Sequence, residues 1–115
     1  MCGNSARPRT GGAMTTTTYS FPSATASISW LDAAGNTMIR VYSSDGYTVT
    51  EQQWDGSTWS ATGFKEAGSA VSATCQVRSG TAWIRVYCTA KGQTTEYCCD
   101  DGATWYQGGY PSPGT

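Results

Sequence analysis

At 115 residues and a net charge of −1, the chain has room for one domain and lacks the basic footprint that a nucleic acid or an anionic membrane would require. Charged residues are only 13% of it and histidine is missing, which removes the commonest general base and the commonest metal ligand. Five tryptophans and seven tyrosines exclude a flexible tail, and the abundance of Thr, Ser and Gly favours strands and turns over helices.

In chain order, residues 1–25 read as a disordered leader and lead-in, with Met14 as a second possible start. No secretory signal is recognisable, and no apolar run is long enough to span a bilayer. The expectation is a protein that is secreted or acts at a cell surface by another route, with a cytoplasmic pool left open. Strands are expected over SISW (27–30), MIRVYS (38–43), YTVTEQQW (47–54) and TWSATGF (58–64), separated by turns at Gly35-Asn36, Asp45-Gly46 and Asp55-Gly56. KEAGSA (65–70) reads as a link. The order then recurs in VSATCQ (71–76), TAWIRVYC (81–88), TTEYCC (94–99) and TWYQGGY (104–110), before a proline-containing tail, 111–115.

The recurrence is an internal repeat. Ile39, Arg40, Tyr42 and Glu51 return 45 residues later as Ile84, Arg85, Tyr87 and Glu96, while Trp59 returns as Trp105 after one extra residue. The expected architecture is all-β: one domain over 26–110, made of two four-stranded antiparallel units at 26–64 and 71–110. Four short strands in some 40 residues describe one blade of a β-propeller.

A two-residue turn at Asp45-Gly46 would set Arg40 directly opposite Glu51, and a four-residue loop, Thr89-Ala90-Lys91-Gly92, would do the same for Arg85 and Glu96. Such pairs read either as cross-strand salt bridges or as polar clamps for a ligand, in which Arg donates from a rigid fork and Glu accepts. Trp54 is three residues beyond Glu51, so strand alternation places it on the other face of the sheet. Each blade would then offer a clamp to one neighbour and an aromatic platform to the next, which suits a neutral polyol with one apolar side. Trp54, Trp59 and Trp105, beside Asp-Gly turns, are expected to be exposed, and Trp30 and Trp83 to lie in the core. Cysteines 75, 88, 98 and 99 read as small buried hydrophobes, with one disulfide in the second repeat as the competitor; their spacing is not that of a zinc site.

IRVY, eleven residues from Arg to Glu, W-D-G-x-x-W and then Gly-Phe or Gly-Tyr resemble the fucose-binding lectins of the Aleuria aurantia lectin type, in particular its short two-repeat members, over about residues 26–110. The resemblance implies a six-bladed β-propeller completed by a homotrimer, and non-catalytic, multivalent binding of L-fucose and fucosylated glycans in clefts between blades, with no cofactor and no metal. It implies clamps Arg40/Glu51 and Arg85/Glu96, platforms Trp54, Trp59 and Trp105, and backbone contacts near Gly63 and Gly109. The position that matches Trp54 in the second repeat is Cys99. The Arg40/Glu51 cleft, within one chain, is therefore expected to be the weaker, and the Arg85/Glu96 cleft, between chains, the stronger.

Three other readings compete. The Cys99 cleft could prefer another sugar. The propeller could be a structural or protein-binding scaffold. A glycosidase is the least favoured: each Glu has an Arg to hold it ionised, and Asp55 and Asp100 are expected to be occupied by their turns.

Overall fold

The computed structural model describes residues 24–113. The expected leader lies outside the described residues apart from Ala24 and Thr25, which open the first strand. Eight strands follow, in the predicted order: β1 (Ala24–Leu31), β2 (Thr37–Ser44), β3 (Thr48–Trp54), β4 (Trp59–Ala67), β5 (Ala70–Arg78), β6 (Thr81–Ala90), β7 (Gln93–Cys99) and β8 (Trp105–Gln107). They form two four-stranded antiparallel meanders, β1-β2-β3-β4 and β5-β6-β7-β8. The expected link at 65–70 is shorter than predicted: β4 runs to Ala67 and β5 starts at Ala70, leaving Gly68 and Ser69 between the sheets.

The turns follow from their aspartates. Asp32, Asp45, Asp55 and Asp101 each accept two backbone N–H bonds from residues two to four positions on, at 2.7–2.9 Å. Each is an Asx-type turn that stops a strand and reverses the chain. Asp100, expected to hold the last turn, does not; the inserted residue pushes that task onto Asp101.

The hairpin registers differ from the expectation by two residues. Arg40 pairs with Gln53 and Tyr42 with Glu51, because the Asp45 N–H reaches the Thr48 carbonyl and the chain reverses around Gly46 and Tyr47. In the second sheet Arg85 pairs with Cys98 and Tyr87 with Glu96. There the loop is two residues, Lys91-Gly92, not four, and both take positive φ (55° and 79°), as the tight hairpin turn with the right twist requires. A slip of two preserves the face of every side chain. Arg and Glu therefore share a face in both sheets, as predicted, but sit diagonally.

One face of each sheet closes on the other. Ile28, Tyr42, Val49 and Phe64 from the first meet Ala82, Ile84, Val86, Cys88 and Cys99 from the second, with Trp30, Val71, Ala73, Cys75, Tyr97 and Trp105 packed around them. Burying each large apolar side chain contributes roughly 1.5–3 kcal/mol. The first strands of the two sheets lie alongside, and Cys75 Sγ reaches the Ser29 carbonyl at 3.7 Å. The four described cysteines are free thiols, three of them buried, and burial pushes the Cys88 thiol up to about 11.

The faces in contact are not equivalent. The first sheet contributes its Arg40/Glu51 face, whereas the second contributes the reverse of its Arg85/Glu96 face. The Arg85/Glu96 face and the Trp54/Trp59 face are left open.

Candidate functional site

The duplicated polar residues form two clusters with different outcomes. In the first, Glu51 is 1% exposed and Arg40 6%. Arg40 Nη1 donates to Glu51 Oε2 at 2.9 Å, the Tyr42 hydroxyl donates to the same oxygen at 2.5 Å, and the Thr62 hydroxyl donates to Oε1 at 2.6 Å. The β3–β4 register shifts between Thr50 and Gln52, and this irregularity brings Thr62 opposite Glu51. Arg40 Nη2 crosses to the second sheet and donates to the Gly102 carbonyl at 3.1 Å, with its guanidinium 5.7 Å from the centre of the Trp30 ring. Burial, with Glu51 alongside, drives the Tyr42 hydroxyl far above its ordinary pKa. Both carboxylate oxygens are bonded by protein donors and both charges are almost wholly out of water. This is a satisfied buried ion pair.

The second cluster is open. Glu96 Oε2 accepts from the Tyr87 hydroxyl at 2.7 Å, as Glu51 does from Tyr42, but among the described residues Oε1 has only the Tyr110 amide at 3.2 Å. The residue at the place of Thr62 is Gly108, whose backbone N–H bonds the Glu96 carbonyl at 2.8 Å. A Cβ there would overlap the Glu96 carboxylate and Cys98 Sγ. The replacement of Thr by Gly thus lets the Glu96 carboxylate lie against the backbone there and removes the hydroxyl that bonds Oε1 in the first repeat. Arg85 does not pair with Glu96: its Nη1 donates to Asp100 Oδ1 at 2.7 Å and to the Ile84 carbonyl at 2.9 Å. The Tyr106 hydroxyl donates to Asp100 Oδ2 at 2.5 Å. That bond, with Arg85 beside it, holds the Asp100 carboxyl below the ordinary range, and the same bond pushes Tyr106 up to about 12. A cavity of about 410 Å³ opens beside this cluster, lined by Ser72, Tyr87, Thr94 and Tyr110 among others.

The aromatic expectations divide. Trp54 and Trp59 face each other across β3 and β4, 5.6 Å between ring centres, and Trp59 is 50% exposed. They form a platform on the outer face of the first sheet, away from Glu51. Trp105 is instead half-buried between the sheets, 4.5 Å from Phe64, because the core needs its area there. Trp83 was expected in the core. It stands instead on the open face with Arg85 and Tyr87, since β6 alternates and Ala82, Ile84, Val86 and Cys88 take the buried side; Arg78 lies 4.4 Å over its ring. Cys99 is fully buried at the place of Trp54, and Cys98 points to the opposite side of β7. Gly63 and Gly109 are exposed, with open space where a side chain would stand.

The residues that the sequence reading missed are Tyr42, Tyr87, Thr62, Gly108, Asp100 and Tyr106. The tyrosine pair carried the same 45-residue signal as Arg and Glu. Asp100 was visible as the single insertion, though not its partner. No group of three His, Cys, Asp or Glu residues that could hold a metal occurs among the described residues. No known family model matches the chain, and no curated protein matches it either.

Proposed function

We propose that the chain is a non-catalytic lectin that binds L-fucose and fucosylated glycans, as its repeat motif resembles the Aleuria aurantia lectin type, and that three copies complete a six-bladed propeller. The binding site lies between copies: Arg85, Glu96 and Tyr87 of one chain face Trp54 and Trp59 of the next. The observation that carries this reading is the pair of complementary open faces. Tyr42 and Phe64 meet edge-on at 5.7 Å and 78°, and Tyr87 and Tyr110 repeat the same 5.7 Å and 78°. Phe64 is covered by Trp105, whose counterpart in the first repeat is Trp59. Trp59 of a neighbouring copy would cover Tyr110 in the same way. A head-to-tail contact of this kind closes into a ring when its rotation permits.

The open cluster supplies donors, acceptors and aromatic faces at one spot, and a sugar ring presents hydroxyls on its edge and C–H groups on one face. The Arg40/Glu51 pair is almost wholly buried and its carboxylate is already bonded by Arg40, Tyr42 and Thr62, so the within-chain cleft contributes structure. Titration of the assembled protein with methyl α-L-fucoside tests the proposal. One site class at one sugar per chain is expected. Two equal sites per chain would overturn the assignment of the clusters, and no binding would overturn the lectin reading in favour of a scaffold that binds protein.

A further inference from the structure

Resting on the reading of the open cluster as a sugar site, we propose that Asp100 is its selectivity residue: by occupying Arg85 it keeps the site for neutral rings and turns away sugars that carry sulfate, phosphate or carboxylate. Arg is the side chain best shaped to take an anion, through two parallel N–H bonds. Here Nη1 is already committed twice, to Asp100 Oδ1 at 2.7 Å and to the Ile84 carbonyl at 2.9 Å. Asp100 is itself held from the far side, since Oδ2 accepts from the Tyr106 hydroxyl at 2.5 Å. An anionic ligand would meet an arginine whose charge Asp100 already balances, with the Asp100 and Glu96 carboxylates both on the same face to repel it. The other cation of this face, Arg78, lies over the Trp83 ring at 4.4 Å. A neutral ring meets no such conflict, because the Glu96 carboxylate and the Tyr87 hydroxyl remain to bond its hydroxyls.

The comparison with the first repeat isolates the cause. There Trp54 is followed directly by Asp55, whose Oδ1 is used by the Ser57 and Thr58 amides of the turn, and Arg40 takes Glu51. In the second repeat Asp101 inherits the turn, with Ala103 and Thr104, and the extra Asp100 is released to take the arginine. One inserted residue therefore changes which carboxylate holds the arginine, and what that arginine can accept.

Asp100→Asn keeps the shape and removes the charge. Wild type and variant are titrated with methyl α-L-fucoside, with the same fucoside carrying a sulfate ester, and with sodium sulfate against sodium chloride at equal ionic strength, following the Arg85 side-chain N–H resonance. In the variant the affinity for the sulfated sugar relative to the neutral one is expected to rise at least about tenfold, and sulfate alone is expected to shift the Arg85 resonance only there. An unchanged ratio, or equal sulfate shifts in both proteins, overturns the proposal. If methyl fucoside binds neither protein the lectin reading fails, and the sulfate measurement still decides whether Asp100 closes Arg85 to anions.

Discussion

Glu51 and Glu96 are the same residue of a repeated motif in two dielectric settings. Glu51 is fully enclosed and bonded to Arg40, Tyr42 and Thr62, so removing its charge leaves Arg40 buried and unpaired. Glu51→Gln is expected to cost roughly 3–5 kcal/mol of stability, the usual range for breaking a buried ion pair from one side, read from urea unfolding. Glu96 is only partly buried and has no cation partner among the described residues. Glu96→Gln is expected to cost under about 1 kcal/mol and to abolish methyl fucoside binding. The reverse pattern, with Glu51→Gln stable but unable to bind, would exchange the roles of the two clusters.

At the scale of the strands and turns, stability rests on carboxylates that cap backbone amides. The Thr104 and Ala103 amides hold Asp101 down at about 2, and the amides of Asn36, of Thr48 and of Thr58 lower Asp32, Asp45 and Asp55 in the same way. A carboxyl lowered in the folded state gives stability that is complete above its unfolded pKa of about 4 and is lost as pH falls through the folded value. The melting temperature, followed by circular dichroism, should therefore be flat from pH 7 to about 5 and fall between about pH 4 and 2. Asp101→Asn should shallow that fall, and an unchanged acid profile in this variant would remove the turn from the account. The registers belong to this scale as well. The Asp45-Gly46 pair announced the first hairpin correctly, but the capping aspartate stands one residue before the point of reversal, which displaced that pairing by two; in the second hairpin the two-residue Lys91-Gly92 loop, in place of four residues, did the same.

The whole molecule is two sheets that use one face each to make a core and leave the other two faces open. A duplicated unit that buries the clamp face of its first copy on the reverse of its second repeats that contact most simply by adding another chain. Sedimentation should find a species of three chains. Trp59→Glu should dissociate it, because a charge would be buried where an aromatic platform is needed, and should remove sugar binding in the same experiment. A variant that stays trimeric would place the interface elsewhere.

The repeat, read from the residues alone, already determined eight strands, two sheets, their order, and the face on which each arginine and glutamate lies. Those properties follow from local turn chemistry and the two-residue period of a strand, which are written along the chain. Partner choice was decided only by the fold. Arg40 bonds Glu51 and Gly102, while Arg85 bonds Asp100. Trp105 is drawn into the core and Trp83 left on the surface. Whether a glutamate is sealed or open depends on what the facing strand and the facing sheet bring to the pair: Thr62 on the carboxylate and the Gly102 carbonyl on Arg40 in one case, Gly108 and an uncovered face in the other. Burial and hydrogen bonding are properties of surfaces brought together from distant parts of the chain, so two copies of one motif acquired different electrostatics from different neighbours.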